Sequence, residues 1–254
     1  MMTHKFDSGV ASQESQYEFP YHYIPILEDG NFSQHLYWSW GINYLSGLDL
    51  VYSSLSKEKF NSLVDMGCGD GRFLFGLEKR IKNKDLLGVD TSQVAIDIAK
   101  AMSPMVSYKC FDICSVTQPL EKFDIATLIE VLEHIPIKEV DNFVMSIANY
   151  LKPSGKLILT VPHTNKPVTS KHYQHFDSKS LQKCLSPFFE IETMEFFEKK
   201  SRIFNRIINP ILRNNLFILN NKFLLNTIFK YYRKYLLTCN EDKCGRILFI
   251  ARKK

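Results

Sequence analysis

From Asn61 onward the sequence alternates short β-rich runs with helix-like runs, and this alternation constrains the fold more than any other feature. NSLVDM at 61–66 precedes the helical pattern RFLFGLEKRI, and LLGVD at 86–90 precedes SQVAIDIAKAM. Parallel strands need long crossover connections, usually helices, so the alternation predicts a sheet covered on both faces. With FEIETMEFF and GRILFIARK as the last two of seven β-rich runs, the fold class is α/β, with a doubly wound, mainly parallel, seven-stranded sheet.

The same pattern divides the chain into four segments. They are an N-terminal arm with helices (1–60), the core (61–200), a basic helical insertion interrupted by Pro210 (201–238) and the final strand of the core (239–254). With 254 residues and 45% hydrophobic content, the chain can bury a full core. The polar N-terminus and the lack of a long apolar run favour a cytoplasmic protein, and six cysteines without a CxxC pair are expected to be reduced.

Positive charge is concentrated at the C-terminus. Residues 195–254 hold 14 Lys and Arg against 4 Asp and Glu, whereas residues 1–194 carry a net charge of −5. An apolar and cationic insertion at 201–237 is typical of a helix that makes peripheral contact with an anionic membrane, or of one that contacts a polyanion. A dimerisation or substrate-capping element with solvated charges is the alternative. A nucleic-acid partner is less favoured because no recognised binding motif accompanies the insertion.

Three glycines follow the first strand of the core, in LVDMGCGDGRF. In a doubly wound sheet, ligands bind in the crevice beyond the carboxyl ends of the strands, and this loop forms its floor. Glycine permits positive φ and lets a ligand approach the backbone closely. Asp65 and Asp70 flank the glycines. These carboxylates would repel a pyrophosphate and suit a cationic ligand.

Two further acidic residues end the next two strands. Asp90, nineteen residues after Gly71, is placed to accept hydrogen bonds from both hydroxyls of a ribose. Asp112 lies where the amino group of an adenine would be recognised. The alternative is structural, with Asp70 as a helix N-cap and Asp90 as a turn residue.

These motifs resemble those of the class I S-adenosylmethionine-dependent methyltransferases, and the match runs from about Asn61 to Pro187. The resemblance implies the Rossmann-like methyltransferase fold and S-adenosylmethionine as cofactor. The cofactor-binding residues that it implies are Asp65, Gly67, Cys68, Gly69, Gly71, Asp90, Thr91, Asp112, Ile113 and Glu130.

The stretch FDIATLIEVLEHI at 123–135 supplies candidates for the chemistry. A helical turn after Ile129 would place Glu130, Glu133 and His134 on one face. An oxygen nucleophile must lose its proton, and a histidine titrates in the suitable range, so His134 is the first candidate for the base.

EVLEHI also resembles the corresponding segment of the ubiquinone-biosynthesis O-methyltransferases and, more loosely, of the small-RNA 3′-terminal ribose methyltransferases. That resemblance implies a divalent metal held by Glu130, Glu133 and His134. Carboxylate and imidazole ligands suit a Mg²⁺-like or Mn²⁺-like ion. We favour the interpretation without a metal, in which Glu130 contacts the cofactor, Glu133 caps or pairs on the helix and His134 meets the substrate.

Three histidines lie downstream, where such families cover the acceptor pocket. His163 and His175 are further candidate catalytic residues, and the RNA methyltransferases would place a metal ligand at His175. His172 is a candidate substrate contact, as are Tyr21 and His22 in an N-terminal aromatic segment that is either a lid or a packed arm. Asp177 or Ser178 is expected to cap the following helix.

The predicted function is transfer of a methyl group from S-adenosylmethionine to an oxygen, in preference to a nitrogen, of a small-molecule or saccharide acceptor. The alternatives are an RNA ribose 2′-O-methyltransferase and a non-catalytic binding protein with the same fold. The sequence specifies no oligomeric state.

Overall fold

The computed structural model describes residues 26–28, 30–33, 41–115, 119–212, 217, 219 and 221–254. These residues group into two compact units. The first unit contains Glu58–Glu195 and Ile247–Lys254, and the second contains residues from Phe19–Lys57 and Phe196–Arg246. No helix among the described residues has the length and apolar character needed to cross a membrane.

The first unit is built around a seven-stranded sheet. Its strands are β3 (Ser62–Met66), β4 (Asp85–Asp90), β5 (Ser107–Cys110), β6 (Phe123–Ile129), β7 (Leu151–Pro162), β8 (Phe189–Phe197) and β9 (Arg246–Lys253). They lie in the order β5-β4-β3-β6-β7-β9-β8. The predicted α/β class and the seven mostly parallel strands are confirmed.

Strand β3 lies where the chain reverses its direction of winding. It pairs in parallel with β4 on one side and with β6 on the other, with Leu63 opposite both Leu86 and Ile125. Every residue of β3 is buried, as expected for the centre of a sheet covered on both faces. The crevice at this switch point is the place where doubly wound folds bind ligands.

Local sequence signals account for the helices between the strands. These are α2 (Arg72–Glu78), α3 (Gln93–Met102), α4 (Val140–Tyr150) and α5 (Ser178–Leu185). The Ser92 side chain caps α3 by accepting from the Ala95 N–H. Asp177 caps α5 in a capping box with Ser180, as the sequence indicates.

The second unit contains a hairpin and three helices. Strands β1 (Ile26–Glu28) and β2 (Asn31–Ser33) pair in antiparallel fashion, and the helices are α1 (Gly41–Leu55), α6 (Asn209–Leu212) and α7 (Lys222–Tyr235). A π-helical turn, Phe204–Ile208, precedes α6 directly, so the helical run continues through Pro210. The hairpin is a difference from the sequence analysis, which expects an arm with helices, and no strands, over 1–60.

Candidate active site

The glycine loop after β3 is fixed to the neighbouring strand by backbone hydrogen bonds. The N–H groups of Gly67 and Cys68 both donate to the carbonyl oxygen of Val89, at 2.7 and 3.0 Å. Gly67 and Gly69 have φ values of +73° and +52°. Both lie in the left-handed region, which side chains with a Cβ rarely adopt, so the chain can turn here without strain only at glycine.

Gly67 also lies against the segment that follows β6. A Cβ added at Gly67 would lie 2.5 Å from Cγ2 of Val131. The glycine loop and the turn that carries His134 are therefore direct neighbours.

Substituting Gly67 with alanine should destabilise the protein. Left-handed φ costs about 1–2 kcal/mol in a residue with a Cβ, and displacement of Val131 adds an overpacking cost of about 1–3 kcal/mol. Gly30→Ala is a matched control, because Gly30 has a φ of +74° and no described heavy atom would lie within 4 Å of its Cβ. Thermal unfolding should show a clearly larger loss for Gly67→Ala, and equal losses would contradict the contact with Val131.

Asp90 is held at the carboxyl end of β4. Its Oδ2 accepts from the Gly69 N–H and its Oδ1 from the Ser92 N–H, each at 2.9 Å. These bonds orient the half-buried carboxylate beside the glycine loop. A carboxylate oxygen can accept more than one hydrogen bond, so a ligand hydroxyl can share an Asp90 oxygen with these N–H groups.

Burial dominates the electrostatics of the loop. It raises the pKa of Asp65 to about 7, although a hydrogen bond from Thr127 at 2.6 Å opposes the shift. It also raises the pKa of Asp70 to about 6, with the Arg72 N–H bonded to that carboxyl. The pKa of the Cys68 thiol is raised by burial and the neighbouring carboxylates. Cys68 is therefore a neutral thiol, and a cationic ligand would relieve the unfavourable burial of Asp65.

The residues that follow β5 and β4 include three predicted cofactor contacts. Asp112 is exposed, and its Oδ1 accepts from the Cys114 N–H at 2.9 Å, while Ile113 is buried. Thr91 is exposed directly after β4. The contribution of these three residues to cofactor binding stays a prediction.

The turn after β6 is shorter than the sequence predicts. Glu130 has a φ of +57°, and its N–H donates to the Thr160 oxygen in β7. A single 3₁₀ turn then covers Leu132–His134. The prediction that Glu130, Glu133 and His134 share one helical face is therefore wrong. The left-handed conformation of Glu130 prevents a regular helix from running through all three residues.

The His134 ring is oriented by the loop that follows β7. Its Nδ1 lies 2.9 Å from the carbonyl oxygen of Lys171, which can only accept, so Nδ1 carries the proton and Nε2 of the neutral ring holds the lone pair. Burial lowers the pKa of His134, against the hydrogen bond to Lys171 and the charge of Glu130, which both raise it. The ring is therefore poised as a neutral base near pH 7.

His172 and His175 form a hydrogen-bonded chain next to His134. Nδ1 of His175 lies 3.0 Å from the Lys166 oxygen, so it donates, and its Nε2 then accepts from Nδ1 of His172 at 2.7 Å. The rings of His134 and His172 meet edge to face, with centroids 4.8 Å apart.

Glu133 completes a cluster with these two histidines. One ligand atom each from Glu133, His134 and His172 lie within 4.8 Å of one another. Glu133 is 1% exposed, and its carbonyl oxygen accepts from the Tyr173 N–H, which ties the 3₁₀ turn to the histidine loop. His172 thus stands where the sequence analysis places Glu130. The three-residue spacing of His172 and His175 in the sequence was a signal from which the hydrogen bond between these two histidines could have been predicted.

Another predicted residue, His163, is not part of this cluster. His163 is buried, and its Nδ1 accepts from the Asn165 N–H at 2.9 Å, which favours a structural role. Tyr21 and His22 lie outside the described residues.

The family model described as "Methyltransferase domain" matches residues 37–196, more than half of the chain. The chain belongs to the class I S-adenosylmethionine-dependent methyltransferase family. The match begins before the first strand of the core and ends within β8, so this methyltransferase domain contains the glycine loop, Asp90 and the histidine cluster.

Two individual relatives match only part of the chain, at 33% and 29% sequence identity. Ubiquinone biosynthesis O-methyltransferase from Coxiella burnetii is 33% identical over 111 residues, which cover 42% of this chain and 46% of the relative. Carboxy-S-adenosyl-L-methionine synthase from Campylobacter hominis is 29% identical over 61% of this chain and 73% of its own. The chain therefore spans about half the length of the first of these relatives.

A solved structure supports the fold. N-methyltransferase NodS from Bradyrhizobium japonicum, in complex with S-adenosyl-L-homocysteine, superimposes with a TM-score of 0.62 over 97% of this chain and 99% of its own. The sequences are 16% identical, so this similarity concerns the fold.

Proposed function

We propose that this methyltransferase binds S-adenosylmethionine in the crevice beside β3 and transfers its methyl group to an oxygen of a small-molecule or saccharide acceptor. The single observation that carries the proposal is the fixed tautomer of His134 in the turn that packs against the glycine loop. Such a ring can take the proton of a hydroxyl acceptor at Nε2. A cytoplasmic location stays a prediction from the sequence.

The residues of the crevice fit the cofactor. The Asp90 carboxylate is held beside the glycine loop by the Gly69 and Ser92 N–H groups, where it can accept from ribose hydroxyls, and the Asp65 carboxyl is buried where a cation would favour its ionised form. When bound, S-adenosylmethionine supplies a methyl group on a positively charged sulfur. The protein then has to align the acceptor, exclude water and remove the proton.

A second candidate function is divalent-metal-dependent methylation. The observation that favours it is the cluster of Glu133, His134 and His172, whose carboxylate and imidazole atoms are suitable ligands for a transition metal. The His175 hydrogen bond would orient His172, as partners of metal-ligating histidines commonly do. In this alternative His134 is a ligand, so another group removes the proton.

The acceptor is proposed from the relatives and the chemistry together. The Coxiella relative is an O-methyltransferase by name, and a neutral histidine base is needed for an oxygen acceptor more than for an amine. The RNA ribose acceptor is the alternative, and its binding would fall steeply with salt.

One experiment tests the proposal. The protein is incubated with methyl-labelled S-adenosylmethionine and separate pools of small metabolites, glycans and RNA, each with and without a chelator. We expect label in the small-molecule or glycan pool. Label confined to RNA would establish the alternative acceptor, and loss of transfer with the chelator would establish the metal. Cofactor binding with no transfer to any pool would contradict the enzymatic proposal.

Asp90→Asn should weaken the binding of the cofactor. Asn keeps one acceptor oxygen and loses the charge, and charge-assisted hydrogen bonds are about twice as strong as neutral ones, so we expect a loss of roughly tenfold. Calorimetry should show the same loss for S-adenosylmethionine and S-adenosylhomocysteine, because both carry the ribose. Unchanged affinity for both would place the ribose elsewhere.

A further inference from the structure

Residues 199–240 carry nine Lys and Arg and no Asp or Glu. This cationic segment lies in the second unit and contains the helical run at 202–212 and helix α7. Asp49 of α1 pairs with Arg233 at 2.6 Å. The segment supplies no carboxylate of its own, so its surface carries a strong positive field.

The first helical run presents an aliphatic stripe to solvent. Ile203, Ile207 and Ile211 recur every four residues and are 68%, 56% and 38% exposed. Phe204 and Leu212 of the same run are buried. Some apolar side chains of this run are therefore buried while the isoleucines remain exposed. Arg202 and Arg206 are exposed beside them.

Helix α7 repeats this arrangement. Leu225, Ile228, Phe229 and Tyr232 are buried, while the exposed large side chains are Phe223, Leu224, Tyr231 and Tyr235. Phe223 is 83% exposed. Lys230 and Lys234 are exposed on the same arc, and Nζ of Lys234 lies 5.1 Å from the centre of the Tyr235 ring. Aromatic rings with lysines among them are typical of a helix at the interface between a membrane and water.

We propose that this surface, formed by the exposed isoleucines of 202–212 and the exposed face of α7, docks on an anionic lipid bilayer. Negative headgroups complement the exposed lysines and arginines, and the acyl boundary accepts the isoleucines and Phe223. A second copy of this chain is a poorer occupant because a symmetric contact would bring like charges together. A nucleic acid would satisfy the charges and leave the aliphatic stripe in water.

The test is sedimentation of the full chain with vesicles of phosphatidylcholine, with or without phosphatidylglycerol. We expect binding to the phosphatidylglycerol vesicles that weakens with salt. Phe223→Ser should reduce partitioning at least about tenfold, because it removes a large apolar side chain from the acyl boundary, and Lys230→Gln about fivefold. Ile207→Ser should act in the same direction.

Matched controls lie in the first unit. Met105→Ser removes a side chain that is 85% exposed, and Lys100→Gln removes an exposed charge, and neither should alter vesicle binding. No binding to phosphatidylglycerol vesicles would overturn the proposal. It would also be overturned if Phe223→Ser and Ile207→Ser bound as tightly as the parent while Lys230→Gln did not, because the surface would then recognise polyanions by charge alone. Concentration-dependent dimerisation abolished by Phe223→Ser, without vesicle binding, would assign the face to a second copy.

Discussion

His134→Gln should lower kcat by about 10² to 10⁴ while leaving cofactor affinity unchanged, because glutamine has no basic nitrogen to take the acceptor proton. Because Nδ1 of His134 donates to the Lys171 carbonyl, Nε2 is the basic nitrogen of the ring, and the substitution removes it. Lys138→Gln, an exposed change on the next 3₁₀ turn, is the control. Single-turnover rates and calorimetric affinities for both variants check the prediction, and a retained rate would show that His134 is not the base.

The pH profile sharpens this test. Burial lowers the pKa of His134 below 6.5, so the neutral ring persists into weakly acidic solution and kcat should fall only below pH 6.5. A fall centred above pH 6.5 would contradict this environment.

If the cluster instead holds a metal, Co²⁺ should give a visible absorption band that His172→Gln and His134→Gln both abolish.

The core elements could be predicted because their signals are local. The β-rich run at 61–66 and the glycines after it specify β3 and its loop, and Asp177 with Ser180 specifies the start of α5. These features depend on residues only a few positions apart. The spacing of side chains along one strand or one helix was therefore sufficient to predict these elements.

The turn after β6 could not be predicted because it depends on partners far along the chain. The Thr160 oxygen fixes the left-handed Glu130, and the Glu133 carbonyl accepts from the Tyr173 N–H. In the structure, Glu133 and His134 lie next to His172. A local helical spacing contains no information about these contacts, and for that reason the sequence analysis groups Glu130 with His134 and assigns His172 only to the substrate.

The affinity for S-adenosylmethionine should rise with pH, by about tenfold per unit below pH 7. Burial raises the pKa of Asp65 from 3.8 to about 7, so the carboxyl of the ligand-free protein is largely protonated in acid. A positively charged sulfur nearby favours the ionised form, and binding must then release the proton, which is easier at higher pH. S-adenosylhomocysteine is the matched control, because it lacks the charge and should show a much weaker dependence.

The same shift fixes the sign of the stability change in the ligand-free protein. Between pH 3.8 and about 7 the unfolded chain has lost the Asp65 proton while the folded protein retains it. The stability attributable to this carboxyl is therefore complete below pH 3.8 and is lost as pH rises to about 7.

The pKa of Asp70 shifts in the same direction, so the affinity for either ligand alone does not report on Asp65 only. The difference in affinity between the two ligands, measured by calorimetry from pH 5 to 8, isolates the effect of the sulfonium charge. Asp65→Asn should abolish that difference, and a preference for S-adenosylmethionine that survives the substitution would mean that another group meets the charge.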